Sequence, residues 1–166
     1  MSRQLSRLNY EDLAEELLED GGFTIALDGT RPTSGFVVAV SGRTAEWDLV
    51  GLTTAQIAEQ LYAFVVDHGA ALQTDAYGKR RYLGAWVNDG VLVLDVVQVH
   101  PHQHMAILLG RLRGEDAIYD LDTGQTITLR HGVVAPSRPS PEAERDAERD
   151  ALRDYELEYD AEPWEY

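Results

Sequence analysis

Residues 82–97 read YLGAWVNDGVLVLDVV, and this stretch decides the fold. Two apolar runs, 82–87 and 91–97, flank the turn sequence Asn88-Asp89-Gly90. Because Asn, Asp and Gly tolerate positive φ angles, this turn predicts a β-hairpin. Asp95 interrupts the second run. In a strand its side chain would lie on the same face as those of Val91, Val93 and Val97. We therefore expect this acid to be either buried and paired or in contact with a ligand.

Three amphipathic stretches on either side of the hairpin predict helices. Asn9 is a suitable N-cap for the first helix. Thr53 and Gln56 have the spacing of a capping box at the start of the second. The third helix is expected to turn Met105 and its leucines, Leu108 among them, toward the core. The predicted helices cover residues 10–19, 54–68 and about 102–112.

Alternating apolar residues predict the remaining strands. We expect a hairpin over 23–27 and 36–40, a short strand over 47–50, and another hairpin over 117–121 and 126–129. The predicted fold class is α+β, with a mainly antiparallel sheet built from three hairpins, three packed helices and a charged C-terminal helix or tail.

The chain is predicted to divide into a globular domain over 1–130, a linker over 131–140 and an acidic, aromatic-containing helix or tail over 141–166. The stretch 154–165 holds six acids and no base. Large aromatic residues are interleaved with these acids, and such residues are enriched as anchors at protein interfaces. The predicted partner-binding residues are Tyr155, Glu156, Glu158, Tyr159, Asp160, Glu162, Trp164 and Tyr166.

The 166-residue chain has a formal net charge of −15. Such a field repels nucleic acid and anionic membranes and attracts basic protein surfaces. Direct nucleic-acid binding, which depends on Lys and Arg, is therefore not expected. The chain has no cysteine, no apolar run long enough to span a membrane and no apolar segment near residue 1. We expect a cytoplasmic protein.

Lys79-Arg80-Arg81 is the only run of consecutive basic residues. One interpretation is an anion-binding site, with the neighbouring tyrosines available for stacking. The alternatives are a solvated loop ahead of a strand, or a weak docking site for the acidic C-terminal end of the same chain.

His100, His102 and His104 alternate in sequence. On an extended strand they would share one face and converge on a metal ion such as Zn. The alternative is a strand-to-helix connection, in which the three rings point in different directions and no cofactor is bound. Pro101 suits the first turn of a helix and favours this second interpretation.

Several short segments resemble small proteins of actinobacterial phages and mobile elements. They are Tyr82-Leu83-Gly84-Ala85-Trp86, Leu94-Asp95, Gly110-Arg111 and Ala117-Ile118-Tyr119-Asp120-Leu121. The resemblance covers roughly residues 20–130. That group has no assigned activity, so the resemblance implies only an accessory role in a GC-rich bacterium or its phage.

The predicted function is a non-enzymatic, acidic protein-binding module that engages a basic protein surface, with the oligomeric state left open. One alternative is a DNA-mimic inhibitor of a nucleic-acid-binding protein. If helical, residues 154–165 carry one acid per about 3 Å, close to the spacing of about 3.4 Å in one DNA strand. The other alternative is a metal-dependent enzyme centred on the three histidines.

Overall fold

The computed structural model describes residues 7–40, 45–75 and 78–129, together with Arg145, Asp146 and Arg149. Within these residues the predicted α+β class, with an antiparallel sheet and three helices, is confirmed. The elements in chain order are α1 (Tyr10–Asp20), β1 (Gly22–Ile25), β2 (Phe36–Ala39), β3 (Ala45–Asp48), α2 (Thr54–His68), β4 (Tyr82–Asn88), β5 (Val91–His100), α3 (Gln103–Leu112), β6 (Ala117–Asp120) and β7 (Gln125–Thr128).

β5 is the strand around which the sheet is built. β4 pairs along one of its edges, from Tyr82 opposite Val97 to Asn88 opposite Val91, so the predicted hairpin is confirmed. The other edge is shared by β3, which pairs with residues 91–94, and β2, which pairs with residues 97–100. Further out, β1 pairs with β4, β6 with β2 and β7 with β6. The outermost described strands, β1, β3 and β7, have four residues each.

The predicted pairing of residues 23–27 with 36–40 does not form, because β1 pairs with β4 while β2 pairs with β5 and β6. Ten residues separate β1 from β2, whereas hairpins are favoured by connections of two to about five residues. The chain turns away after β1, where Gly29 N donates to Ala26 O at 2.9 Å. Arg31 then forms a bidentate ion pair with Glu16 on α1, with both bonds at 2.6 Å.

The helix starts follow the predicted capping chemistry. The Asn9 side chain accepts hydrogen bonds from the amides of Glu11 and Asp12, which satisfies two amides at the start of α1. At the start of α2, Thr53 and Gln56 form the complete capping box. These local devices fix where the two helices begin, and Gly69 follows the end of α2 as expected.

All three helices pack on one face of the sheet. α1 and α2 cover Leu92, Leu94 and Val96 of β5. α3 covers Val38 of β2, which lies opposite Gln98 and therefore on the same face as Val96. Beneath α1 and α2, the residues of β5 that face the helices are apolar. Nearer to α3, the residues on this face are Gln98 and His100.

The predicted burial of Leu108 is wrong, since its side chain is 44% exposed. α3 instead buries Met105, Ala106, Leu109 and Gly110. The small residues on this stripe let the helix approach the sheet, and a Cβ at Gly110 would lie only 2.5 Å from Leu129 Cδ1. α3 therefore packs through the face that contains Ala106 and Gly110, because small side chains allow a closer approach to the sheet than the face with Leu108 would.

Asp95 lies on the opposite face of the sheet and is 1% exposed. It stands opposite Gly84 in the ladder, between the buried residues Val93 and Val97. The expected position of this acid within an apolar row is confirmed. Gly84 gives room there, because a Cβ at this position would lie 2.7 Å from Val97 Cγ1 and 3.3 Å from the Trp86 ring.

We predict that Gly84→Ala lowers the free energy of unfolding by about 1–3 kcal/mol, because the added methyl overpacks a β-branched neighbour with little rotamer freedom. Urea denaturation followed by circular dichroism measures the change. The control is Gly69→Ala, at a position with right-handed helical φ and ψ, which should leave stability unchanged or raise it by up to about 1 kcal/mol. Equal destabilisation by both substitutions would contradict the steric explanation.

Candidate functional site

A cavity of about 230 Å³ lies where β4 separates from β5. β4 begins at Tyr82, opposite Val97, so Val99 and His100 extend beyond the ladder on that side while β2 still pairs with them on the other. The space that a longer β4 would fill is therefore left as a pocket. Its lining consists of Lys79, Arg80, Gln98, Val99, His100, Pro101, His102 and Met105.

Lys79 and Arg80 form the exposed rim of this pocket. Asp75 fixes the backbone of Lys79, because its Oδ1 accepts from Lys79 N at 2.9 Å and its own amide donates to Lys79 O at 2.8 Å. Arg80 Nη1 lies 3.2 Å from Asp28 Oδ2. Hydrogen bonds from Thr30, helped by the charge of Arg80, hold the pKa of Asp28 below its usual range. Asp75 thus fixes the backbone of Lys79 and Asp28 pairs with the side chain of Arg80, while both cations remain on the pocket rim.

Gln98 is a buried polar side chain in the wall of the pocket and is 4% exposed. Arg113, just beyond α3, donates from Nη2 to Gln98 Oε1 and from Nη1 to the Ala39 carbonyl, both at 3.1 Å. This pair of bonds holds the amide of Gln98 in one orientation, with its oxygen toward Arg113 and its NH2 group as the other end. Arg113 also places a positive charge behind the wall.

His100 is the most deeply placed titratable group of the pocket, at 8% exposure. Among the described residues its Nε2 atom finds no hydrogen-bond partner. Burial lowers the pKa of His100 to about 4, and the charges of Arg113 and Lys79 act in the same direction. The ring is therefore neutral at pH 7. Gly35 lies against its backbone, where a Cβ would stand 2.9 Å from the His100 carbonyl oxygen.

The floor of the pocket is apolar. Met105 is buried and Val99 half-buried, and Pro101 completes this part of the lining. α3 begins beside them, and its N-cap residue His102 makes no side-chain capping hydrogen bond. The pocket thus combines an apolar floor, a neutral buried imidazole, an oriented amide and a cationic rim next to a helix N-terminus.

A second surface, opposite in charge, lies on the helical layer. α1 carries six acids and no base in 11 residues: Glu11, Asp12, Glu15, Glu16, Glu19 and Asp20. Beside it an open groove of about 610 Å³ runs between the start of α1 and α2. Tyr10 and Tyr62 meet there edge to face, with ring centroids 5.5 Å apart. Glu11 and Glu59 also line the groove, so acids and aromatic rings occur side by side.

The predicted linker and all eight predicted partner-binding residues of the tail lie outside the described residues. Docking of the acidic end onto the basic run therefore stays a prediction. Within the C-terminal segment, the described pair Arg149 and Asp146 is in contact at 2.9 Å.

The basic run and the histidine run, considered separately from sequence, meet at the pocket. Lys79 and Arg80 line it, whereas Arg81 is half-buried outside the lining. His100 and His102 line it, while His104 is exposed on α3. The hairpin could have predicted that the two runs lie close together, because extending the β4–β5 register back from Tyr82 places residue 79 opposite residue 100.

The three histidines do not assemble into the predicted zinc site. His100 is on β5, His102 is at the N-cap position of α3 and His104 is in its first turn, with the rings of His102 and His104 6.2 Å apart. Among the described residues no group of three or more His, Asp or Glu side chains is placed to hold a metal ion. The strand-to-helix connection explains this arrangement, since the backbone changes direction between the three positions.

Gln98 and Arg113 were not identified from the sequence as site residues. Gln98 interrupts the apolar run of β5 just as Asp95 does, so the same signal was present. Arg113 follows α3 without any local pattern, and only the packing of α3 against β2 brings it to Gln98.

The chain matches no family model, no curated protein and no solved structure. The resemblance to phage and mobile-element proteins therefore stays a prediction. In the described part of the chain, no helix has the length and apolar composition needed to cross a membrane.

The buried His100 predicts a specific loss of stability in acid. Its pKa is lower in the folded chain, about 4, than in the unfolded chain, about 6.5. Between these values the unfolded state binds the proton and the folded state does not, so stability falls as the pH drops through this window. The expected contribution is about 3 kcal/mol. Urea denaturation between pH 7 and 4 measures it.

Comparing His100→Gln with the wild type isolates the contribution of His100 to the pH dependence of stability. The variant should show a shallower decline than the wild type, whatever its stability at pH 7, because its side chain does not titrate. The exposed His104→Gln serves as the control and should keep the slope of the wild type. An unchanged slope in His100→Gln would contradict a buried neutral imidazole.

Proposed function

We propose that this chain is a non-enzymatic, acidic protein-binding module that engages a basic protein surface. The observation that carries the proposal is the outer surface of the helical layer, where the acids of α1 adjoin the tyrosine-lined groove. Acids at this density attract Lys- and Arg-rich surfaces, and tyrosines supply interface area at low entropic cost.

The C-terminal segment strengthens this proposal through its composition. Residues 154–165 repeat the combination of acids and aromatic rings found at the groove. A partner with a basic, partly apolar surface would be attracted to both regions. Two such contacts on one chain raise the effective affinity well above that of either alone when the geometry lets both engage.

The acidic surface of α1 and the cations of the pocket rim lie in different parts of the described chain, which also favours a directed interaction. The acids of α1 adjoin the groove, whereas Lys79 and Arg80 are at the end of β5. An uneven charge distribution orients a charged partner during approach as well as attracting it. The acidic surface therefore suits association that is fast and sensitive to salt.

A DNA-mimic inhibitor is the second candidate, and the charge spacing of α1 favours it. Six carboxylates over 11 residues correspond to one per about 3 Å of helix axis, near the spacing of about 3.4 Å in one DNA strand. The ion pair of Glu16 with Arg31 reduces this density. In this case the basic partner would be a nucleic-acid-binding protein, and duplex DNA would compete with the chain for it.

We predict that partner capture from a bacterial lysate depends on these acids. Immobilised wild-type chain should retain a basic protein at 50 mM NaCl and release it at about 500 mM, since exposed charges are screened at high salt. Glu15→Lys and truncation after residue 140 should each weaken retention severalfold. Competition by duplex DNA and by polyglutamate at equal charge distinguishes the two candidates, because both polyanions displace a merely basic partner alike, whereas the partner of a DNA mimic is displaced by duplex DNA at a much lower concentration.

The matched control is Glu46→Lys on β3, an exposed acid away from α1 whose replacement changes the net charge by the same amount. It should retain the partner as the wild type does. Retention that survives both Glu15→Lys and the truncation would refute the proposed function.

A further inference from the structure

The pocket at the end of β5 has features that binding of a basic protein does not use. It is cationic in a chain whose formal net charge is −15. It is also built from separate parts of the chain: the loop before β4, the last residues of β5 and the start of α3. Each part contributes a different element of recognition.

The buried imidazole of His100 indicates a missing polar partner. Buried polar atoms are nearly always hydrogen-bonded, because leaving one unpaired costs the full desolvation of the group. His100 Nε2 is buried in the pocket wall and no described residue bonds to it. A ligand with a polar group that reaches this ring would satisfy it.

The charges around the imidazole ring determine which ligand charge the pocket favours. Lys79 and Arg80 form the rim, and Arg113 stands behind Gln98. No acid lines the pocket among the described residues, and two acids beside its rim are engaged, Asp28 with Arg80 and Asp75 with the backbone of Lys79. The amides at the start of α3 add the positive end of a helix dipole. An anionic group is attracted by all of these features.

The size and lining of the cavity define the rest of the ligand. Pockets for drug-sized molecules occupy about 300–1,000 Å³, and this one has about 230 Å³. Inorganic phosphate alone would leave the surface formed by Val99, Pro101 and Met105 without contact. A body of a few carbon atoms fills that space and removes apolar surface from water.

We propose that this pocket binds a small organic anion, in which one carboxylate or phosphate group is carried on a short apolar body. The anionic group lies at Lys79 and Arg80 within reach of His100, and the apolar body lies against Val99 and Met105. Gln98, oriented by Arg113, donates its amide hydrogens to the ligand. This binding is independent of the acidic helical surface.

The test is an NMR titration of the full-length, 15N-labelled chain with four probes: 3-methylbutanoate, isobutyl phosphate, the neutral 3-methylbutan-1-ol and inorganic phosphate. At least one organic anion should give saturable shifts of the Val99, His100 and Met105 amides with a Kd below about 5 mM. The alcohol and inorganic phosphate should bind at least about tenfold more weakly, because the alcohol lacks the anionic group and inorganic phosphate lacks the apolar body. The preferred organic anion identifies the head group.

Charge-matched variants test the assigned residues. Lys79→Gln should weaken binding of the preferred anion several-fold, and Lys79→Gln with Arg80→Gln about tenfold or more, as charge-assisted hydrogen bonds are lost. Arg111→Gln is the control, because it removes one exposed positive charge from α3 outside the lining. It should bind as the wild type does.

Three outcomes would overturn the proposal. They are no saturable shift with either organic anion, binding of the alcohol as tight as that of the anions, and equal weakening by Arg111→Gln and Lys79→Gln. None of these depends on partner capture by the acidic surface, so the pocket and the proposed function fail or succeed separately.

Discussion

The hydrogen-bonding requirement of β5 governs the rest of the structure. This strand is buried along most of its length, so its backbone groups need partners on both edges. β4 supplies one edge, and β3 and β2 divide the other between them. Because the pairing of β5 with β4 reaches only to Val97, opposite the first residue of β4, while its pairing with β2 reaches His100, the two edges of β5 are paired over different lengths. The pocket lies beside residues 98–100, where β5 is still paired with β2 but has passed the end of its pairing with β4.

Two surfaces of the described chain differ in the charge they present. The helical layer presents the acids of α1 to solvent, and the loop before β4 carries the neighbouring cations Lys79 and Arg80. Asp28 and Asp75 moderate those cations through an ion pair and backbone hydrogen bonds. The described residues thus form an acidic surface beside a tyrosine-lined groove and a cationic rim beside an apolar pocket.

Local chemistry explains which features could be predicted from the sequence. The turn at Asn88-Asp89-Gly90, the Asn9 cap and the Thr53 capping box act within a few residues, and all three are present. The partner of β1 is set by contacts between distant segments, which a ten-residue connection leaves open. Likewise, Lys79 and His100 were recognised individually. Their meeting depends on strand register and on where β4 stops, and Arg113 depends on how α3 packs.

The outermost described strands, β1, β3 and β7, are four residues long. An exposed strand edge is a template onto which a strand from another molecule can add, and long edges make such addition favourable. Three short edges offer few backbone groups each for cross-molecule pairing. Short edges and mutual repulsion between copies of net charge −15 both disfavour edge-to-edge association of the sheet.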